Sequence, residues 1–312
     1  MIKNKANSAS PIFKNASHDV KNYTILQTAR QSNNQTIEQS NNIFGILLRM
    51  NILVCIKQVP GTSQVEIDPT TGTLKRDGVA AKMNPFDLYA LETALQLKER
   101  TGATVTVLTM GPPQCEKVVR EAFMMGVDAG IILSDRSFGG ADVLMTSYTL
   151  SQGVRKAGPV DLIICGKQTT DGDTAQVGAE LAEWLKIPHV VNVKAIGEVT
   201  DRDITLTVDL PDYEITEKIP FPCLMTVEKG IFEPRLPSYR KKLATADREI
   251  TWLRLADLED ADPKHYGLNG SPTQVKRIFP PESHVEHVML EGTPEEQAAQ
   301  LAELLAKKKF LQ

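Results

Sequence analysis

From Met50 onward, short apolar runs alternate with segments whose apolar residues recur at helical spacing. An unbroken apolar run fits a strand covered on both faces, and parallel strands need a crossover between them, which is usually a helix. Asn51-Ile52-Leu53-Val54-Cys55-Ile56 is the first such run. Asn84-Pro85-Phe86-Asp87 then introduces a helix from Leu88 to Arg100, with Leu88, Leu91, Ala94 and Leu95 on one stripe and Gly102 as its stop. Thr104 to Met110 reads as the second strand, ended by Gly111-Pro112-Pro113 and followed by a helix from Gln114 to Met125. The unit repeats as a strand at Ile131 to Leu133, a helix from Asp142 to Lys156, a strand from Asp161 to Cys165 and a helix from Thr174 to Lys186. After Pro188 the helices drop out. His189 to Ile196, Ile204 to Leu210, Tyr213 to Ile219 and Cys223 to Val227 read as an antiparallel extension that closes the sheet. The predicted class is α/β: a Rossmann-like, mostly parallel sheet with an antiparallel extension.

Domain limits follow from where this pattern begins and ends. Residues 1–49 hold 17 Asn, Gln and Ser and little periodicity, so they are expected to be a disordered extension or a start-site artefact. Residues 50–232 make the α/β domain. Residues 233–312 are charged and Pro-punctuated until a helix from Pro294 to Lys308, and they read as a C-terminal arm that needs a partner to pack on.

Charge and cysteine usage narrow the function. The net charge of −4 divides unevenly: residues 1–49 carry six Lys/Arg against two Asp/Glu, leaving 29 against 37 for the body. An acidic body gives no footprint for nucleic acid, and no apolar stretch approaches the roughly 20 residues of a membrane span. Cys55, Cys115, Cys165 and Cys223 are far apart, with no paired spacing for a metal, and read as reduced core residues of a cytoplasmic protein.

Ligands of open parallel sheets bind outside the carboxyl ends of the strands. The most informative strand end is Gly166-Lys167-Gln168-Thr169-Thr170-Asp171-Gly172-Asp173-Thr174-Ala175-Gln176-Val177-Gly178. Its amides and the following helix N-terminus suit a phosphate or diphosphate, with Thr174 and Gln176 as side-chain donors. Asp171 and Asp173 count against this, and an ordinary capped turn reads equally well. Met110-Gly111-Pro112 permits close backbone approach or simply stops a strand. Asn84 offers its amide to an adenine or ribose edge, or caps the helix. No GxSxG, HExxH or Cys–His pairing is present, so no acid–base or nucleophilic centre is expected.

Leu53 to Pro60, Met83 to Asp87, Met110 to Pro112, Gly166 to Gly178 and Glu233-Pro234-Arg235 together resemble the beta subunit of an electron-transfer flavoprotein, over essentially residues 50–312. The resemblance implies an adenine-nucleotide-binding domain whose arm embraces an alpha subunit. By the same resemblance the nucleotide is held at Cys55, Asn84, Pro85, Phe86, Asp87, Met110, Asp171, Gly172, Asp173, Thr174, Ala175, Gln176, Val177 and Gly178. Ile231, after Gly230, matches a recognition residue that inserts into a partner dehydrogenase.

Ser134 to Asp142, Asp171 to Gly178 and Gly270 to Val275 look closer to the bifurcating proteins of anaerobes. Cys223 to Tyr239 and Ile278 to Ser283 resemble those serving caffeyl-CoA reductase or lactate dehydrogenase. This implies FAD in the beta site and NADH as substrate, with one electron going to ferredoxin and the other to an acyl-CoA dehydrogenase/reductase or lactate dehydrogenase. The alternative is a non-bifurcating carrier with structural AMP. A regulatory nucleotide-binding module of similar fold, needing neither arm nor alpha partner, is a third reading.

Overall fold

The computed structural model describes residues 50–61, 81–275 and 287–310. The expectations for residues 1–49 and for Ile278 to Ser283 lie outside these. The described residues fall into two units that part after position 276.

In the first unit, β1 (Asn51–Cys55) is an interior strand of a nine-stranded sheet. A short antiparallel pair, β2 (Gln58–Pro60) with β3 (Ala81–Met83), follows it and leads into helix α1 (Pro85–Thr101). Then come β4 (Thr104–Met110), α2 (Glu116–Met125), β5 (Ala129–Leu133), α3 (Val143–Ala157), β6 (Leu162–Gly166) and α4 (Val177–Leu185). The last strands are β7 (His189–Val199), β8 (Asp203–Asp209), β9 (Glu214–Pro220), β10 (Cys223–Val227) and β11 (Thr251–Leu253). The sheet order is β11-β5-β4-β1-β6-β10-β7-β8-β9. All pairs are parallel except β7 with β8 and β8 with β9.

The α/β reading and the antiparallel extension hold, with two corrections. Cys223–Val227 is not in the extension; it slots parallel between β6 and β7. It is buried at every position, and such a run carries no alternation to show which way its neighbours point. The helix expected from Thr174 begins three residues later, because Asp173 (φ 53°) and Ala175 (φ 54°) are left-handed and hold the chain out of the helix until Val177.

Side-chain alternation along the central strands builds two cores. Ile52 and Val54 of β1 face the layer of α1 and α2, with Leu91, Leu95 and Phe123. Leu53 and Cys55 face the layer of α3 and α4, with Leu150, Leu181 and Cys165. From Glu233 to Val275 the chain stays in this unit. It holds α5 (Tyr239–Ala244), the edge strand β11 beside β5, α6 (Gly267–Gly270) and the fully buried Tyr266. In the second unit, α7 (Pro294–Lys307) starts with Thr293 and Glu296 in a reciprocal capping box.

Candidate functional site

Strand order locates a crevice. From β1 the chain crosses to β4 and then β5 on one side, whereas β6, on the other side of β1, sends its connection the opposite way through α4. The connections diverge between β1 and β6, which is the topological switch point where open α/β sheets bind ligands. Cys55 and Cys165 are register partners at the carboxyl ends of these two strands.

Three segments meet there. Asn84, fully buried just before α1, uses its amide as a staple: Nδ2 donates to the Gln168 carbonyl (2.9 Å) and to Asp87 Oδ1 (2.9 Å), and Oδ1 accepts from Thr170 N–H (3.2 Å). The side chain does not cap α1, and both Nδ2 hydrogens are committed to these two bonds. Its backbone N–H also donates to the Lys57 carbonyl (2.9 Å), and Lys57 N–H donates to Asp87 Oδ2 (2.7 Å). These bonds tie the end of β1, the start of α1 and the loop after β6 into one frame.

Burial pushes the Asp87 carboxyl up to about 7, against the opposing hydrogen bonds from Asn84 and Lys57. The Cys165 thiol is held well above its ordinary range by its hydrogen bond to Cys55 and by burial. Gly166 is required by close approach, since a Cβ there would lie 2.5 Å from Asp87 Oδ1 and 2.7 Å from the Phe86 carbonyl carbon. Gly178 is required for the same reason: its Cβ would lie 2.5 Å from Thr226 Cγ2.

Positions 171–176 are exposed and lead into α4, whose first turn receives no side-chain cap. The two carboxylates that argued against phosphate are both engaged. Asp171 pairs with Lys57 Nζ (2.8 Å), and Asp173 accepts from Gln168 Nε2. Burial raises the Asp171 pKa, but Lys57 outweighs it and holds the carboxyl below its ordinary range. Thr174 and Gln176 side chains have no partner among the described residues. An uncapped helix start, two free polar side chains and backbone turned by left-handed residues form a donor set that fits a phosphate-bearing nucleotide.

Met110 ends β4, half-buried, one strand away from Cys55 on the side opposite β6. A Cβ at Gly111 would lie 3.4 Å from Cys115 Cβ. Pro85 and Phe86 form the first turn of α1, half-buried. Ile231 lies apart from these, half-buried against the α1 and α2 core. Lys57 and Gln168 hold the loop carboxylates and were not singled out from sequence; the signal available was that each lies just beyond the end of a central strand. No cluster of metal-ligating side chains is present among the described residues.

The family model described as the electron transfer flavoprotein domain matches residues 71–258. The chain belongs to the electron transfer flavoprotein family. It is 45% identical to the caffeyl-CoA reductase-Etf complex subunit CarD of Acetobacterium woodii, over 78% of this chain and 93% of that one. It is 42% identical to the electron transfer flavoprotein subunit beta of Clostridium acetobutylicum, over 84% of this chain and 100% of the relative. Protein FixA of Sinorhizobium fredii is 42% identical, over 74% and 84%. Electron transfer within the beta-subunit branch of this flavoprotein family is therefore its functional class. No helix among the described residues is long and apolar enough to cross a membrane.

Proposed function

We propose that the chain is the beta subunit of a heterodimeric electron-transfer flavoprotein, working in the cytoplasm, that binds FAD in the β1/β6 crevice and serves flavin-based bifurcation from NADH. The observation that carries the nucleotide part is the uncapped start of α4, with Thr174 and Gln176 unpartnered, at the switch point of the sheet. In this reading the amides from Asp171 to Gly178 receive the diphosphate. Cys55, Asn84 to Asp87 and Met110 form the floor and wall against the adenosine. Bound FAD would supply the chemistry, accepting hydride from NADH and releasing its two electrons singly. The protein's residues bind, orient and exclude water, consistent with the lack of an acid–base motif.

One electron then goes to ferredoxin and the other, through the alpha subunit, to a dehydrogenase of the enoyl-CoA or caffeyl-CoA reductase type or to lactate dehydrogenase. The similarity to a subunit of a caffeyl-CoA reductase complex supports the first kind of acceptor. The 233–312 stretch is assigned as the segment that meets the alpha subunit, and Ile231 as the contact to the dehydrogenase.

Extraction and identification of the nucleotides bound to the heterodimer, followed by anaerobic stopped-flow with NADH, tests the proposal. Two FAD per heterodimer and rapid reduction by NADH are expected. One FAD with one AMP, and no reaction with NADH, would replace it with a non-bifurcating carrier.

A further inference from the structure

Two lysines stand just beyond the strand ends that frame the crevice. Lys167 is committed to Glu228 (2.6 Å) on the β10 side. Lys57 is placed differently: its N–H is fixed on Asp87 and its carbonyl on Asn84 N–H, while its ammonium, with the side chain 44% exposed, reaches across to Asp171 Oδ1 at 2.8 Å. Asp171 opens the exposed stretch that runs into the uncapped start of α4.

We propose that Lys57 is the counter-charge for the ligand's phosphate, and that Asp171, its carboxylate partner at 2.8 Å, competes with that phosphate for it. The inference rests on the nucleotide reading above and names the group that gives that site its charge preference. Lys57 and Lys167 are matched by Asp171 and Glu228, and the loop adds Asp173, held by Gln168, so three carboxylates stand against two ammonium groups. A phosphate entering while Asp171 still holds Lys57 meets a net-negative cluster. Exchange of partners removes that repulsion. It costs little, because an exposed ammonium–carboxylate pair contributes little net stability, and Asp171, 33% exposed, turns out to water. Lys57 need not move far, since its backbone stays anchored at both hydrogen bonds while the side chain changes partner.

ADP, the fragment shared by the candidate dinucleotide and mononucleotide, is the probe. It is titrated calorimetrically into the full chain in complex with the alpha subunit, after removal of bound nucleotide, for the unsubstituted protein, Lys57→Met, Lys57→Arg and Asp171→Asn. Loss of a charge-assisted hydrogen bond should weaken binding about tenfold in Lys57→Met and flatten its salt dependence. Lys57→Arg should recover most of the affinity. Asp171→Asn, with the competitor gone, should bind ADP more tightly, by up to about fivefold. Unchanged affinity in Lys57→Met overturns the inference while leaving the nucleotide site standing. Weakening by Asp171→Asn to the same degree as Lys57→Met also overturns it, since the pair would then only hold the loop. No binding of ADP by the unsubstituted complex overturns the nucleotide reading and this inference with it.

Discussion

Arg235 grips Glu92 across 143 residues of chain: Nε donates to Oε2 at 2.8 Å, Nη2 to Oε1 at 2.8 Å, and the Arg235 backbone N–H to Oε2 at 3.1 Å. Glu92 is buried on α1, and Glu99, two turns further along the same face, takes Nη1 at 2.7 Å. Burial raises the Glu92 pKa, but the guanidinium fork outweighs it and holds the carboxyl below its ordinary range. The Glu-Pro-Arg stretch thus fastens the chain leaving β10 to the helix whose first turn carries Asp87.

Removing Arg235 leaves a buried carboxylate without its partner, a change that typically costs about 3–5 kcal/mol. Arg235→Ala should therefore lower the urea midpoint sharply at neutral pH. The sign of its pH dependence is also set. A depressed pKa contributes stability that is present above the unfolded value of 4.5 and is lost as pH falls through the lower folded value. Without the fork, burial is opposed only by the Gln96 amide and the slope should reverse, so protonation of Glu92 as the pH is lowered should recover part of the loss. Urea unfolding of both proteins at pH 7 and pH 5 checks this.

Gly166→Ala would force a methyl group onto the Asp87 carboxylate and the Phe86 backbone. The backbone contact cannot be relieved by a rotamer change, so α1 must shift away from β6, at roughly 1–3 kcal/mol for overpacking. The Asn84 staple to Gln168 and Thr170 spans this gap. The expected outcome is a folded protein, by far-UV circular dichroism, whose nucleotide content after gel filtration falls well below that of the parent. Full nucleotide retention would move the site away from the β1/β6 crevice.

The parallel half of the sheet was legible because Ile52 to Cys55 and Leu162 to Cys165 are continuous apolar runs separated by helix-period segments. Cys223–Val227 was legible as a strand but not in its direction, because a run buried on both faces looks alike in either orientation. The loop after β6 was singled out by its small polar residues. Its helix start was misplaced because positive φ is uncommon outside glycine and an Ala side chain gives no sign of it, although Asp adopts it more often than most. The Asn84 staple was not legible for a different reason. Its partners Gln168 and Thr170 lie more than 80 residues away in sequence, while the side-chain cap considered from sequence needs only local neighbours.

Ile231 follows Gly230, which has φ 89° with open space around it, and packs half-buried on the α1 and α2 core. If its outer face meets the dehydrogenase, a charge there removes an apolar anchor worth about 2 kcal/mol or more. Ile231→Asp should slow electron delivery to the dehydrogenase by at least about tenfold, with flavin content and NADH reduction unchanged. A dehydrogenase-linked assay beside a flavin absorbance spectrum separates the two effects. Unaltered electron delivery would remove Ile231 from the interface.

Asp87 supplies a pH dependence opposite in sign to that of Glu92. Both of its oxygens accept hydrogen bonds, which favours the charged form, yet burial wins and brings the pKa up to about 7 from 3.8. Between those two values the folded protein binds the Asp87 proton more tightly than the unfolded chain. This contribution is therefore greatest below 3.8, declines as pH rises to about 7, and is level above it. Asp87→Asn carries no titrating proton, so the difference in unfolding free energy between parent and variant should change steadily from pH 5 to pH 7 and then stop changing. An amide supplies one acceptor oxygen where the carboxylate supplied two, so either Lys57 N–H or Asn84 Nδ2 loses its partner, and the variant should also hold nucleotide less tightly at every pH. Denaturant titrations of the nucleotide-free proteins at half-unit intervals measure the first effect, and a difference curve flat across that window would mean that Asp87 is charged throughout.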